Sequence, residues 1–371
     1  MSVANRSNAR DKKSALFTLF VLCLLLTACR SKTPKEEIGK AEKIGVLMNT
    51  LHKKGKFNGT VLVSEGGKII YEHAFGLADQ ETKELLKPGS SFYLASVAKQ
   101  FTAMAIMMLQ EKNELSYGDK LIKYFPEFPS YAKDISIKHL MTHTSGLPDH
   151  YRLGSYKVGL KNADVLEILL KQDTLDFAPG DKFSYSNSGY VLLAMIAEKV
   201  TGAPFPAFLK ASILEPLGMH HTLIVEGPVA TLNNRAIGYN KVGEADDYEL
   251  LTTGAGGMYG TVEDLFLWDQ ALNTEKLVSR QTLEEAYEPT VLNDGSISYY
   301  GFGWFLDVDN HTVAHSGGLS GFRTFIKRDL KNGNSYMFLT NFGDAASLPA
   351  IETEIDGILA GSADTEPTPH P

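Results

Sequence analysis

The segment Ala95–Leu109, ASVAKQFTAMAIMML, constrains this chain more than any other. Only Ser96, Lys99, Gln100 and Thr102 are polar in it. A helix apolar nearly all round has no solvent face, so other elements must enclose it. The pattern therefore predicts a buried helix over 96–112 inside a layered domain. With 371 residues, 43% of them hydrophobic, the chain can supply the cover. Ser96 and Lys99 are three apart and share a face. A buried lysine is costly unless partnered, and desolvation lowers its pKa. A neutral lysine beside a serine hydroxyl is a base beside a nucleophile. A serine at a helix N-terminus also feels the positive end of the dipole.

Apolar spacing predicts an amphipathic helix over 36–54, from Ile38, Ala41, Ile44, Leu47, Met48 and Leu51. Thr60–Val63 and Ile69–Tyr71, separated by Glu65-Gly66-Gly67, signal a β-hairpin. Short helical runs follow near 137–142, 164–171, 188–201 and 205–213. Strand signals return near 235–240, 299–306, 312–316, 321–328 and 335–341, and a last helix covers 347–360. No internal repeat is visible. Strands at both ends and helices between them predict an α/β chain of the α+β kind. Its antiparallel sheet would be flanked by the terminal helices, with a mainly helical second lobe. The expected sheet lobe is about 36–112 and 235–360, and the helical lobe about 113–234. A cleft between lobes is the default place for a site.

The first residues do not belong to that domain. Arg6, Arg10, Lys12 and Lys13 precede the uncharged run Ala15–Ala28, too short for an ordinary spanning helix of ~20 residues. A basic flank and a short apolar core mark a secretory signal. Its end, Leu26-Thr27-Ala28-Cys29, resembles a bacterial lipobox, in which the cysteine is lipidated and becomes the new N-terminus. The expectation is a signal peptide over 1–28, Cys29 as the lipidated residue, a polar tether over 29–35, a folded domain over 36–360 and a disordered tail over 361–371. The protein would then be exported and anchored to a bacterial membrane by its lipid. Cys23 and Cys29 are the only cysteines, so a mature chain starting at Cys29 has no disulfide. A cysteine nucleophile and a cysteine-rich zinc site are excluded as well. With 36 basic against 44 acidic residues, the chain lacks the basic face that nucleic acid requires.

Three short motifs carry chemistry. Ser96-x-x-Lys99 is weak alone, and Ser130-x-x-Lys133 repeats it by chance in a polar, proline-flanked stretch. Ser184-Tyr185-Ser186-Asn187 precedes a helix, where Asn187 or Ser188 could simply be a cap. His315-Ser316-Gly317-Gly318 ends a strand, where a turn needs glycine. Together and in this order they resemble the serine β-lactamase and penicillin-binding-protein superfamily, in particular its class C β-lactamase branch with esterase and D-aminopeptidase relatives. The text His139–Pro148, HLMTHTSGLP, and Gly256-Gly257-Met258 are also similar to that family. The resemblance runs from about 57 to about 342.

That resemblance implies a β-lactamase/transpeptidase-like fold and a two-step acyl transfer without a cofactor. Ser96 would be the nucleophile, Lys99 would help deprotonate it, and Tyr185 would exchange protons with the leaving group and water. Asn187 would bond Lys99 or a substrate amide. His315, Ser316 and Gly317 would line the substrate, and the N–H groups of Ser96 and Gly318 would form the oxyanion hole. The departure is His315, where β-lactamases usually carry lysine. A histidine is mostly neutral at pH 7, which directs the expectation toward esters or peptides rather than efficient β-lactam hydrolysis. Two other classes compete. His139 and His143 have the i, i+4 spacing of a zinc pair, but Leu140 stands where a metalloprotease helix has glutamate. A non-catalytic binding protein on the same fold is the other. No Gly-x-Ser-x-Gly elbow exists, which disfavours an α/β-hydrolase.

Overall fold

The computed structural model describes residues 38–229, 232–343 and 347–361. The apolar run, Cys29, the tether and all but the first residue of the tail lie outside the described residues. Eleven strands are described, β1 Gly59–Glu65, β2 Lys68–Phe75, β3 Phe92–Tyr93, β4 Leu223–Ile224, β5 Met258–Gly260, β6 Thr290–Val291, β7 Ile297–Ser298, β8 Phe305–Asp307, β9 Thr312–Leu319, β10 Phe322–Asp329 and β11 Ser335–Thr340. The main sheet is antiparallel in the order β2-β1-β11-β10-β9-β8, so the two ends of the chain pair through β1 and β11. The longer helices are α1 Lys40–Lys53, α2 Lys99–Glu111, α3 Asn187–Thr201, α4 Val262–Ala271 and α5 Leu348–Leu359.

The period-2 alternation of strands decides what each sheet face meets. Val61 and Val63 of β1, with Phe325 and Phe338, pack under Ile44 and Met48 of α1 and Ile351 and Ile355 of α5. Leu62, Ile326, Met337 and Leu339 face the other way and join the larger core around α2. Every residue from Lys99 to Leu109 is buried, as the apolar segment requires. The helix begins one turn later than its pattern predicts, because Ala95–Ala98 form a 3-10 turn that leads into it.

Two expected strands are not formed as expected. Over 235–240 there are only isolated bridges, since successive backbone groups bond different segments: Ala236 N–H to Ser91, Ile237 N–H to Ala78 and Tyr239 N–H to Asn341. Over 299–306, only Phe305 and Leu306 lie in a strand. Residues 301–304 turn tightly, with Gly301 N–H on the Trp304 carbonyl. Gly303, at φ +81°, passes so close to α2 that a Cβ there would lie 2.9 Å from Gln100 Cα. A straight strand could not make that approach.

Candidate active site

Ser96 lies in the 3-10 turn, held from three sides. Ala95 just before it has φ +49°, an uncommon conformation for a residue with a Cβ. Leu94 N–H donates to the Met258 carbonyl at 2.8 Å, and the Thr324 hydroxyl donates to the Leu94 carbonyl at 2.8 Å. Gly317 of β9 presses against the same peptide, where a Cβ would lie 2.5 Å from the Leu94 oxygen. The 3-10 geometry eclipses positions i and i+3, which stacks Lys99 on the Ser96 face.

Lys99 is fully buried. Its Nζ donates to Ser96 Oγ at 3.1 Å, Asn187 Oδ1 at 2.9 Å and the Ala255 carbonyl at 2.8 Å. The Tyr185 ring centroid is 4.9 Å from Nζ and that of Tyr190 5.6 Å. Burial pushes the ammonium pKa down to about 7, against a smaller opposing pull from the Asp149 carboxylate. Asn187, the first residue of α3, turns its other polar groups to Asp149. The backbone N–H donates to Asp149 Oδ2 at 2.6 Å, and Nδ2 donates to the same oxygen at 2.9 Å.

Tyr185 lies 4.2 Å, centroid to centroid, from His143. Its hydroxyl is buried without a hydrogen bond of normal geometry among the described residues. Burial raises the phenol pKa, and the nearby Ser96 hydroxyl opposes the rise. His143 takes the Ser186 N–H on Nδ1 at 3.1 Å. His315 uses both ring nitrogens. Nδ1 is 2.7 Å from the Ser316 carbonyl, which can only accept, so it carries the proton; Nε2 then accepts the Tyr300 hydroxyl at 3.0 Å. Burial, followed by repulsion from Lys99, depresses His315 to about 3. It is a neutral positioner of Tyr300 at pH 7.

The strand alternation separates the remaining candidates. His315 and Gly317 share the buried face of β9, whereas Ser316 and Gly318 are exposed. The structure thus brings Ser96, Lys99, Tyr185, Asn187, His315 and Gly317 together but sends the Ser316 side chain to the outer face, beside Phe305 and Lys327. A two-residue turn joins Leu319 to Phe322, so Gly318, opposite Arg323, occupies a position whose N–H points away from β10. β8 ends opposite Ala314 and leaves that edge of β9 open beyond it. Ser130 and Lys133, the chance copy, are both exposed.

His139 and His143 do not form the spaced pair expected of a zinc helix. The helix Ile137–Met141 ends before His143, which adopts φ +57°. His139 instead receives the Ser136 N–H at 3.3 Å. Among the described residues no group of three potential ligands converges. Sequence reasoning missed Asp149, Tyr300, Tyr190 and the Ala255 carbonyl. Asp149 directly follows the HTSGLP text, and a Pro-Asp step at a loop was its one available signal.

The model of the Beta-lactamase family matches residues 47–356. The chain belongs to that family. It is 37% identical over 327 residues to Penicillin-binding protein 4* of Bacillus subtilis (strain 168), covering 81% of this chain and 72% of that protein. Among solved structures, EstCE1, described as a hydrolase with promiscuous acyltransferase activity, superposes with a TM-score of 0.73 at 23% identity over 86% of this chain and 98% of its own. A mutant class C β-lactamase gives 0.73 at 23% identity over 87% and 97%. The family is one of serine hydrolases on a mixed α/β fold with an antiparallel sheet, and it includes penicillin-binding proteins, esterases and amidases.

Proposed function

We propose that the protein hydrolyses an uncharged ester, amide or D-amino-acid-type peptide through an acyl-enzyme on Ser96. The observation that carries this is the cage around Lys99. Asn187 Oδ1 and the Ala255 carbonyl can only accept hydrogen bonds. A neutral Lys99 gives them its two N–H groups, and its lone pair then faces Ser96 Oγ. With a pKa of about 7, half of the lysine is neutral at neutral pH. The Ser96 proton passes to Nζ as Oγ attacks the carbonyl carbon. The N–H groups of Ser96 and Gly318 receive the developing oxyanion, donors of a kind worth ~3–4 kcal/mol. Burial keeps Tyr185 a phenol, so it donates its proton to the departing group and regains one from Lys99. Water then attacks the ester by the reverse proton route.

His315 supplies no positive charge to a substrate carboxylate, because both nitrogens are engaged and the ring is neutral. Phe183 and Phe305, 37% and 42% exposed, instead flank Tyr185 and Tyr300 with an aromatic wall. This favours short uncharged esters over carboxylate-bearing β-lactams; a β-lactamase or D,D-carboxypeptidase is the second reading, favoured by the shared Ser-x-x-Lys and Tyr-x-Asn geometry. Residues 30–371 should be labelled at Ser96 by a fluorophosphonate probe. Ser96→Ala should abolish labelling, and Lys99→Ala should slow it ~10²- to 10⁴-fold. Labelling that survives Ser96→Ala rejects Ser96 as the nucleophile, and a native protein that is not labelled at all returns the chain to the non-catalytic class. We also propose that Cys29 anchors the exported protein by lipid; full-length protein should fractionate with membranes and Cys29→Ala should not be processed as a lipoprotein, whereas a hydrophilic mature protein with an unmodified N-terminus elsewhere rejects the anchor.

A further inference from the structure

Asp149 takes no part in the acyl transfer as derived above, yet it is 5% exposed and committed almost wholly to one neighbour. Its Oδ2 holds both the backbone N–H and the side-chain Nδ2 of Asn187, while Oδ1 takes the Tyr151 N–H at 2.8 Å. An ionised carboxylate has no hydrogen to give. It therefore decides which way the Asn187 amide lies. A flipped amide would set its oxygen against Oδ2, replacing the donated hydrogen bond by oxygen–oxygen repulsion, and would turn its NH₂ toward Lys99 Nζ.

The direction matters to the base. Lys99 has three polar neighbours, and the lone pair of the neutral amine faces whichever of them can supply a hydrogen. While Asn187 presents oxygen and Ala255 presents a carbonyl, that neighbour is Ser96. If the amide swings free, its NH₂ competes for the lone pair and Lys99 can donate to Ser96 instead of accepting from it.

We infer that Asp149 is a positioning residue, which locks the Asn187 amide with its oxygen on Lys99 and so directs the lone pair of Lys99 to Ser96. This rests on the Ser96–Lys99 assignment proposed above. Asp149 also lies at the N-terminus of α3, where a carboxylate satisfies a helix N–H and favours the dipole, so loss of the cap alone must be distinguished from loss of the lock.

The test is a double-mutant cycle read by the acylation burst with p-nitrophenyl acetate, normalised to the sites titrated by fluorophosphonate. Counting titrated sites removes unfolded molecules from the comparison. Asp149→Asn keeps the volume and should slow acylation about 10- to 100-fold, the scale of a misplaced catalytic group. In an Asn187→Ala background the same change should act within about 2-fold, since its target is gone. Equal factors in both backgrounds would overturn the inference and leave a helix cap.

The pH profile gives a second readout. Around Lys99, His143, His150 and His315 are kept neutral by burial, and the Tyr185 and Tyr190 phenols are kept protonated. The Asp149 charge is what raises the lysine pKa. Removing it should move the acidic limb of acylation to lower pH, and an unmoved limb counts against the role. Failure of the Ser96 assignment shows separately, as labelling of Ser96→Ala.

Discussion

The pKa of Lys99 sets how the site responds to pH. Its folded value of about 7 lies below the ordinary 10.5, so the working neutral amine appears as pH rises through 7. Acylation should climb along one acidic limb near pH 7 and be flat above it, measured by burst rates between pH 5 and 9. His315, already neutral above pH 4, should add no second limb. A limb that persists at the same pH after Lys99→Ala would assign it elsewhere. The same residue shows how far single positions were legible. Ser-x-x-Lys and the apolar run around it predict a buried, partnered lysine, and that is what forms. His315 was legible as an uncharged substitute for lysine. That its two nitrogens are spent on Ser316 and Tyr300 was not, because the strand signal over 299–306 says nothing of Tyr300 meeting His315.

Between elements, the critical contact is β9 against the turn that carries Ser96. Gly317 allows it, since a Cβ there would lie 2.2 Å from Thr324 Oγ1 and 2.5 Å from the Leu94 carbonyl. Gly317→Ala should push β9 away, misalign the Gly318 N–H and slow acylation by about 10²-fold. The readout is the burst rate per titrated site, which should fall far more than the melting temperature. A glycine after a strand signalled only a turn; that it marks the closest approach of two elements needed their packing. β1 and β11 were legible as short apolar runs because both of their faces are buried, and the edge strand β2 was legible through the turn that pairs it with β1. The segment 235–240 has similar residues, but its backbone groups are taken by three different segments, and no strand results.

At the scale of the molecule, Arg328 of β10 and Asp269 of α4 form a buried pair, 4% and 3% exposed. Arg328 Nε donates to Asp269 Oδ1 at 2.6 Å, further nitrogens reach Asn273 and Tyr287, and Ser335 donates to Asp269 Oδ2. Removing one partner strands the other charge, so Asp269→Ala should cost ~3–5 kcal/mol in urea denaturation while acylation per titrated site is unchanged. Three buried histidines set the acid response. His143, His150 and His315 all have folded pKa values below the unfolded 6.5, the last two at about 4 and about 3. Between those values and 6.5 the unfolded chain binds more protons, so stability is present above pH 6.5 and is lost as pH falls toward 4. Urea midpoints at pH 7.5, 6 and 5 should fall in that order, and His315→Gln should flatten the slope.

From the sequence alone came the buried helix, the terminal helices over an antiparallel sheet, and the order of the three motifs. Each rests on periodicity or on neighbours within a few residues, which a single chain displays directly. The tertiary structure decided the rest: the Ala255 carbonyl, 156 residues from Lys99, as its second acceptor, Asp149 behind Asn187, and Ser316 on the outer face. These depend on which distant segments share a small volume. The physical reason is that hydrogen-bond direction and desolvation are properties of the packed neighbourhood, and no spacing along the chain encodes them.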